Sequence, residues 1–408
     1  MKLKNDNKQE KKILVIPALF DHIDIINEIL KRGYIAITCD NNPNNIGHKY
    51  STKFKNIDLL DTPALLKFSK KEKINAIMTL SNDIGALPAA YISHQLNLPG
   101  SKPNAVKIMA NKNYFRSFLK ANSFNCPKYQ TIEKYEDVNL KSIDFPIIIK
   151  PTDRTGSKGV FIAKDIEELK QKIFQALEFS IEKKVIIEKY IESKFNQIHG
   201  DSIVQNNKII FYCFGDQYFG KDTHKFSPIA TVFPCSIPLR ILNKIQSELN
   251  RFIELIDYKN GGLNIELRID NNENVYFIEI APRFGGNYIP KTIGYVCDLD
   301  IFQYALDLAI GKNISIPYHS INPNIFQLIL RSNTIGIFNS VSCNNNQLEI
   351  MQDFQFKNKG EYITDYPGPD DIISIYIIKA PNKKIVRDVI TNPYRYFSIN
   401  LNTKENSN

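Results

Sequence analysis

The chain has 408 residues, with 43% hydrophobic and 23% charged residues, which is the composition of a folded protein with two or three domains. Its net charge is +9, but lysines and acids are interspersed, which argues against a basic groove for nucleic acid. No apolar run approaches the ~20 residues of a membrane helix, and the cysteines and histidines lack metal-site spacing. We therefore expect a cytoplasmic protein with reduced thiols and no membrane partner.

The first hundred residues alternate between apolar strands and amphipathic helices. Residues 1–10 are polar and are expected to form a tail. Strands are predicted at 12–17, 34–39 and 76–80, and helices at 23–31, 62–73 and 83–96. This alternation predicts a parallel sheet over residues 11–104, with ligands at the carboxyl ends of its strands. No glycine follows the first strand, which argues against a nicotinamide-dinucleotide site.

The middle of the chain mixes helices with short strands. The pattern predicts one helix over 104–122, which carries Lys112 and Arg116 one turn apart. The next elements form a unit of the size of a mobile lid, with strands at 147–150, 160–163 and 185–188 and a helix at 165–179. Further strands are predicted at 202–206 and 208–214, and helices at 238–256 and 300–310. Beyond residue 317 the chain is β-rich, with strands near 326–331 and 372–379.

A lysine and a glycine-containing loop predict a phosphate site. Lys150 ends an apolar strand, where an unpaired charge is costly, so it needs an anionic partner. In the loop over residues 152–159, glycines allow backbone N–H groups to approach phosphates, and hydroxyl groups add donors. The loop does not match the Walker A pattern, and a plain hairpin loop is the alternative. The loop residues expected to face phosphates are Thr155, Gly156, Ser157 and Gly159.

Two glutamates on neighbouring predicted strands suggest a metal site. Glu266 and Glu279 occupy matched positions, and carboxylates so placed can share one Mg²⁺. The alternative is that both face solvent, but the strand that carries Glu279 is too apolar for that. Arg283 follows, and it either clamps a phosphoryl or carboxylate oxygen or pairs with the glutamates.

In order and spacing, these segments resemble the ATP-grasp enzymes from about residue 12 to residue 315. The matching pieces are Asn111-Lys112 at a helix start, Pro146-Ile-Ile-Ile-Lys150, the Gly156/Gly159 loop, Val185-Ile-Ile-Glu188, Asn264-Ile-Glu266 and Phe277-Ile-Glu279-Ile-Ala-Pro-Arg283-Phe-Gly-Gly286. The first domain resembles the pre-ATP-grasp unit. The resemblance implies an α/β fold with a parallel-sheet pre-ATP-grasp domain (11–104), a two-lobed α+β ATP-grasp domain (105–316, lid about 146–188) and a small β-rich carboxyl-terminal lobe (317–408).

The resemblance also implies a role for each matched residue. Lys112 and Lys150 would contact the phosphates, and the 152–159 loop would close over them. Adenine would be held by Glu188, Lys189, Tyr190 and Ile191. Glu266 and Glu279 would bind Mg²⁺, with Mn²⁺ as an alternative metal, and Arg283 would act with Lys150 in catalysis. Two departures from the family pattern are Ala281, where most members have asparagine, and the absence of the acidic residue that usually reaches the ribose.

The implied activity is that of an ATP-dependent, ADP-forming carboxylate–amine ligase. ATP would phosphorylate a small-molecule carboxylate, and an amine would displace phosphate from the acyl phosphate. Lys221, His224 and Arg268 are expected on the acceptor side. The alternatives are a purine-biosynthesis or carbamoyl-phosphate-type enzyme, or a nucleotide-binding regulatory protein with weakened catalysis. The sequence does not identify the two substrates, and it leaves the oligomeric state open, a homodimer included.

Overall fold

The structure is a computed structural model that describes residues 10–154, 156, 158–220, 226–364 and 372–402. The predicted tail lies almost wholly outside the described residues, as do Thr155, Ser157, Lys221 and His224. Within the described ranges, no helix combines the length and apolar character that crossing a membrane requires.

The amino-terminal region is built around a parallel sheet, as predicted. Its strands are β1 (Lys12–Val15), β2 (Ile35–Asp40), β3 (Lys53–Asn56) and β4 (Ala76–Met78), and its helices are α1 (Ile23–Lys31), α2 (Thr62–Glu72) and α3 (Asp83–Gln95). The strands pair in the order β3-β2-β1-β4. Because parallel strands end at the same edge, the segments that follow β1 and β4 lie side by side, and α3 begins at that edge.

The single helix predicted over 104–122 is wrong, because the chain forms two helices there. They are α4 (Pro103–Ala110) and α5 (Lys112–Ala121). Asn111 between them is extended (φ −111°, ψ 120°), and its side chain accepts hydrogen bonds from the backbone N–H groups of Asn113 and Tyr114. An asparagine in this conformation caps a new helix and interrupts the old one. The break makes Lys112 the first residue of α5.

The segment predicted as a lid forms its own sheet-and-helix layer. Its elements are β5 (Tyr129–Ile132), β6 (Ile147–Pro151), β7 (Phe161–Ala163), α6 (Ile166–Phe179) and β8 (Val185–Lys189). The strands are antiparallel in the order β5-β8-β6-β7. Leu169, Ile173 and Ala176 of α6 pack on the strands and give the layer a separate hydrophobic core. Strand β5 was not anticipated, and the boundaries of the lid as a domain stay a prediction.

The next part of the chain supplies the strands that carry the predicted metal ligands. Its elements are β9 (Gln197–Gln205), β10 (Lys208–Phe219), β11 (Pro228–Phe233), α7 (Leu239–Ile256), β12 (Asn260–Ile269), β13 (Val275–Ala281), α8 (Ile289–Cys297) and α9 (Ile301–Ala309). Buried residues recur every three or four positions along α7, which packs on Leu263, Ile265 and Leu267 of β12. Strand β9 begins five residues before the predicted strand at 202–206, because its first residues are polar although buried.

The carboxyl-terminal region is β-rich, as expected, and it extends the same sheet. Its elements are β14 (Ile325–Arg331), β15 (Gly336–Cys343), β16 (Glu349–Gln355), β17 (Tyr362–Ile363), β18 (Ile372–Lys379), α10 (Lys383–Thr391) and β19 (Phe397–Asn402). Among the described residues, eight strands form one central antiparallel sheet in the order β13-β12-β9-β10-β11-β14-β18-β16. The remaining strands pair as β17-β15-β19. The predicted boundary at residue 317 therefore does not separate two sheets.

Candidate active site

Two carboxylates face each other on neighbouring strands of the central sheet. Glu266 on β12 and Glu279 on β13 are direct partners in the antiparallel register, which shifts immediately after Glu266. Residues directly opposite on such strands have Cβ atoms about 5 Å apart, and like charges there repel each other. A cation held between the two carboxylates would cancel this repulsion. The structure therefore brings the two predicted metal ligands together.

The surroundings of Glu266 fit a cation-binding site. Burial and the charge of Glu279 raise the pKa of Glu266 to about 7, against the opposing charges of Lys150 and Arg283. Gln197 Nε2 donates a hydrogen bond to Glu266 Oε2 at 3.0 Å. Across the described ranges, no group of three or more His, Cys, Asp and Glu side chains is placed to hold a metal. Mg²⁺ held by only two carboxylates completes its coordination with phosphate and water oxygens.

Lys150 belongs to a buried ion network between the lid sheet and the central sheet. Its Nζ donates to Glu188 Oε2 at 2.9 Å, while Arg116 of α5 donates to both Glu188 oxygens at 2.7 and 3.3 Å. Arg116 also donates to the carbonyl oxygens of Phe277 and Ile278 on β13. Burial alone would raise the pKa of Glu188, but Arg116 and Lys150 lower it to about 2. This network of charged groups joins the lid to the strand that carries Glu279.

The loop between β6 and β7 depends on glycine at two positions. Gly156 and Gly159 have φ angles of +65° and +72°, a left-handed conformation that strains other residues. A Cβ atom at Gly159 would lie 2.8 Å from Phe179 Cβ and 2.9 Å from Pro151 Cγ, whereas one at Gly156 would meet nothing within 4 Å. The loop is thus closely packed against its surroundings at Gly159, whereas the space around Gly156 is open.

Lys112 reaches the start of this loop from the first turn of α5. Its Nζ donates to the carbonyl oxygen of Arg154 at 2.5 Å, and its backbone N donates to that of Thr152 at 3.4 Å. Burial lowers the pKa of Lys150, and the positive charge of Lys112 lowers it further. The two predicted phosphate-binding lysines therefore lie within electrostatic range of each other, at the position where the loop begins.

The predicted adenine hinge is attached to both sheets. The backbone N–H of Tyr190 donates to the Pro146 carbonyl at 2.9 Å, and the Ile191 carbonyl accepts from Arg268 Nη1 at 3.0 Å. The Arg268 guanidinium also lies 4.7 Å from the centroid of the Tyr190 ring. Arg268, expected on the acceptor side, thus contacts the hinge. A cavity of about 370 Å³ borders Tyr190, and adenine contacts through Glu188, Lys189, Tyr190 and Ile191 stay a prediction.

Arg283 is bound by a carboxylate of the amino-terminal region. Its Nε and Nη2 donate to Asp83 Oδ1 and Oδ2 at 3.0 and 2.7 Å, and its Nη1 donates to the Phe284 carbonyl at 3.0 Å. Burial opposes the charged form, but Asp83 and then Glu279 raise the pKa of Arg283. The sequence had suggested substrate oxygens or the two glutamates as its partners. The structure instead gives Asp83 as the direct partner, with Glu279 acting on Arg283 through its charge.

A buried polar network lies beneath the loop that follows Arg283. Asn264 Nδ2 lies 2.9 Å from Asp201 Oδ1 and 3.0 Å from His199 Nε2, and Gly285 N also donates to Asp201 Oδ1, at 2.9 Å. Burial raises the pKa of Asp201 to about 7 and lowers that of His199 to about 4. The network fixes the loop to β9 and β12, two residues from Glu266 and two from Arg283.

Several residues of this site were not predicted. Arg116 was noted only as a cation one turn after Lys112, and its apolar neighbours on α5 were the signal that it is buried. Asp83 was only the first residue of the helix predicted at 83–96. Gln197, His199 and Asp201 alternate along β9, and their period of two was the available signal. No pattern in the sequence pairs any of them with its partner.

The family comparison locates the matching region. The model of the ATP-grasp domain family matches residues 143–291. The sequence is 22% identical over 317 residues to the carbamoyl phosphate synthase large chain, C-terminal section, of Aquifex aeolicus, an alignment that covers 76% of this chain and 57% of that relative. The chain therefore spans little more than half the length of this curated relative.

The comparison with solved structures extends the similarity to nearly the whole chain. The L-amino acid ligase from Bacillus licheniformis has a TM-score of 0.80 at 17% identity, covering 97% of this chain and 100% of that one. The biotin carboxylase domain of the Hydrogenobacter thermophilus 2-oxoglutarate carboxylase, in complex with MgADP, ADP and bicarbonate, has a TM-score of 0.72 at 17% identity, covering 96% and 91%. Identities this low establish a shared fold rather than a shared substrate. The chain therefore shares the fold of these proteins over nearly its whole length, and its residues 143–291 match the ATP-grasp domain family.

Proposed function

We propose that this protein is an ATP- and Mg²⁺-dependent ligase that activates a small-molecule carboxylate as an acyl phosphate and joins it to an amine, releasing ADP and phosphate. The observation that carries the proposal is the pairing of Glu266 with Glu279, within electrostatic reach of Lys150 and Arg283. Phosphoryl transfer between anions requires neutralised charge and fixed positions more than covalent help from the protein. The site combines two acidic metal ligands with cations on either side.

The nucleotide would lie between the lid sheet and the central sheet. Lys112 and Lys150 would contact its phosphates, and the loop with Gly156 and Gly159 would cover them, with Thr155 and Ser157 as further donors. Glu266 and Glu279 would hold Mg²⁺, which neutralises phosphate charge when bound. The Lys150–Glu188 contact supports this arrangement, because Lys150 can turn toward a phosphate while Arg116 keeps Glu188 paired.

Arg283 would bind the oxygens of the transferring phosphoryl group or of the acyl phosphate. It lies directly after β13 and is largely buried, so its N–H groups act where competing water is scarce. Closure of the lid would exclude the water that hydrolyses an acyl phosphate before the amine attacks it. The structural similarity to an L-amino acid ligase supports an amino acid as one substrate.

A carbamoyl-phosphate-type reaction is the second candidate, favoured by the similarity to the large chain of carbamoyl phosphate synthase. The two candidates differ in their substrates. The ligase would need an organic acid and an amine, whereas the second candidate would need bicarbonate and ammonia.

Phosphate release from Mg-ATP distinguishes the two candidates. Purified protein would be given pairs of L-amino acids in one series and bicarbonate with ammonia in another. We expect release above background with a specific amino-acid pair, and loss of that release in Lys150→Ala and Glu279→Ala. The exposed Lys141→Ala serves as the control and should keep full activity. Release only with bicarbonate and ammonia would select the second candidate, and nucleotide binding without turnover in either series would contradict both.

A further inference from the structure

Arg283 is held by an unusually complete set of contacts for a residue expected to bind substrate. Asp83 accepts hydrogen bonds from Nε and Nη2 through its two carboxylate oxygens, and the Phe284 carbonyl accepts from Nη1. A two-oxygen contact with the guanidinium fork fixes the plane of the group as well as its position. Asp83 and the Phe284 carbonyl together occupy three of the five N–H groups of the arginine, which leaves one N–H on Nη1 and one on Nη2 for a ligand.

Asp83 is itself rigidly placed. It is the first residue of α3, which begins at the carboxyl edge of the parallel sheet. Asn82 Oδ1 accepts hydrogen bonds from the backbone N–H groups of Ile84 and Gly85 and so caps the helix. A Cβ atom at Gly85 would lie 2.7 Å from Thr79 Oγ1, so the first turn of α3 packs closely on the end of β4. The carboxylate of Asp83 thus projects from a fixed support.

The pair joins two regions that are far apart in sequence. Asp83 and Arg283 are separated by 200 residues, and both side chains are largely buried, at 14% and 9% exposure. Arg283 also lies in the field of Glu279 and Asp201. Without a fixed partner, a flexible arginine would turn toward these carboxylates. Asp83 occupies the Nε and Nη2 groups of Arg283 and so competes with these carboxylates for them.

A second ion pair between the same two regions provides a comparison. Asp24 in the first turn of α1 accepts a hydrogen bond from Lys291 Nζ at 2.7 Å, with side-chain exposures of 21% and 24%. Like Asp83, Asp24 is an acidic residue at a helix start that contacts a base after β13. The Asp24–Lys291 pair has one contact to a flexible ammonium group, and Lys291 has no assigned part in the chemistry. It therefore measures what docking of the two regions alone contributes.

We infer that Asp83 is a positioning residue for phosphoryl transfer, which holds Arg283 in the orientation that receives the transferring group. The inference rests on the proposed function, because it assigns Asp83 a part in that reaction. It means that the amino-terminal region contributes to the catalytic geometry besides covering the site. Loss of Asp83 should weaken binding of the transition state and leave binding of ADP intact, because Arg283 receives the phosphoryl group that ADP lacks.

Titration calorimetry with two probes tests the inference without knowledge of the substrates. The probes are Mg-ADP alone and Mg-ADP with aluminium fluoride, which mimics a phosphoryl group in transfer. We expect Asp83→Asn to bind Mg-ADP as the wild type does, and to bind the aluminium fluoride complex about tenfold or more weakly. The control Asp24→Asn should match the wild type with both probes. Asp83→Glu, which keeps the charge but moves it by one methylene, should lie between wild type and Asp83→Asn.

Each outcome has a defined meaning. Equal affinities of Asp83→Asn and Asp24→Asn for the aluminium fluoride complex would make Asp83 a docking contact and overturn the inference. A wild type that binds Mg-ADP but gains no affinity from aluminium fluoride would overturn it as well. If Asp83→Asn does not fold, Asp83→Glu carries the comparison, and unchanged affinity in that variant overturns the inference. A wild type without affinity for Mg-ADP would instead contradict the proposed function.

Discussion

The two ends of the candidate active site handle buried charge in opposite ways. At the lid end, Glu188 is paired with both Arg116 and Lys150, and its pKa is lowered to about 2, so every charged group has an oppositely charged partner and one positive charge is in excess. At the metal end, Glu266 and Glu279 face each other, and the pKa of Glu266 is raised to about 7. The lid end holds opposite charges in contact, whereas the metal end holds two like charges opposite each other.

This difference indicates what each end does when a nucleotide binds. At the lid end a phosphate must compete with Glu188 for Lys150, so binding exchanges one partner for another. At the metal end the two glutamates repel each other in the folded protein before any cation binds. A bound cation cancels this repulsion, and the folded protein therefore favours its binding. We expect loss of Glu188 at the lid end to act mainly on folding, and mutations at the metal end to act mainly on metal binding and activity.

The largest expected effect on folding follows removal of Glu188. Glu188→Ala leaves Arg116 and Lys150 buried without their carboxylate, so we expect the free energy of unfolding to fall by about 3 to 5 kcal/mol. Urea denaturation measures this change. The control is Glu168→Ala, which removes an exposed pair with Lys172 on one turn of α6 and should cost far less. Equal losses in the two variants would contradict the contrast between the ends.

At the metal end, the neutral variant Glu266→Gln should stabilise the protein. The Glu266 carboxylate has a higher pKa in the folded protein than in the unfolded protein, so its ionisation at about pH 8 destabilises the folded state. Glutamine does not ionise and therefore removes this destabilisation. We expect a gain of about 1 to 3 kcal/mol in the free energy of unfolding without Mg²⁺, together with loss of ATP-dependent phosphate release. The exposed control Glu254→Gln should change stability by less than about 0.5 kcal/mol. A less stable Glu266→Gln protein would contradict the account.

Mg²⁺ should stabilise the protein in a pH-dependent way. Below about pH 7 Glu266 keeps a proton that Mg²⁺ must displace, so the affinity for Mg²⁺ should rise as the pH increases through that value. At a fixed millimolar Mg²⁺ concentration, the shift in Tm should therefore be larger at about pH 8 than at about pH 6. Differential scanning calorimetry measures it, with Glu266→Gln as the control that should show little shift. Equal shifts in wild type at both pH values would contradict the assignment.

The smallest expected effect concerns Asp201, which lies in the polar network beneath the loop that follows Arg283. Its pKa rises from 3.8 to about 7 on folding, so the folded state keeps a proton that the unfolded state loses. Stability should therefore fall as the pH rises between these values and stay reduced above about pH 7. Asp201→Asn keeps an oxygen for Asn264 and Gly285, so we expect a flatter pH profile and a gain of about 1 kcal/mol at pH 8. Parallel profiles for variant and wild type would contradict this.

The sequence identified most elements of the fold, because strands and helices here follow clear apolar periods. The single helix expected over 104–122 failed at Asn111, where a side-chain cap outweighs a continuous apolar pattern. Strand β9 was predicted too short because its first half carries buried Gln197, His199 and Asp201, which appear in a sequence as a polar loop. A polar residue can be buried only where hydrogen-bond partners from elsewhere in the chain reach it, and the neighbouring residues in the sequence do not reveal those partners.

The candidate site shows the same limit. Glu266 and Glu279 were expected to be neighbours because they occupy matched positions on neighbouring predicted strands, and the register confirms that they face each other. Lys150 was expected to need an anion, and the structure supplies Glu188. The partners that lie far away in sequence were not foreseen, since nothing in the local sequence joins Asp83 to Arg283 or Arg116 to β13. The resemblance to a family indicated which residues matter, but it did not indicate which of them contact each other.

Titration of the wild-type protein with ATP, in the presence and absence of Mg²⁺, tests the central claim most directly. The account predicts binding that is much tighter with Mg²⁺, and a Glu279→Gln variant that binds ATP equally with and without the metal. Absence of ATP binding under both conditions, or binding that ignores Mg²⁺ in the wild type, would contradict it.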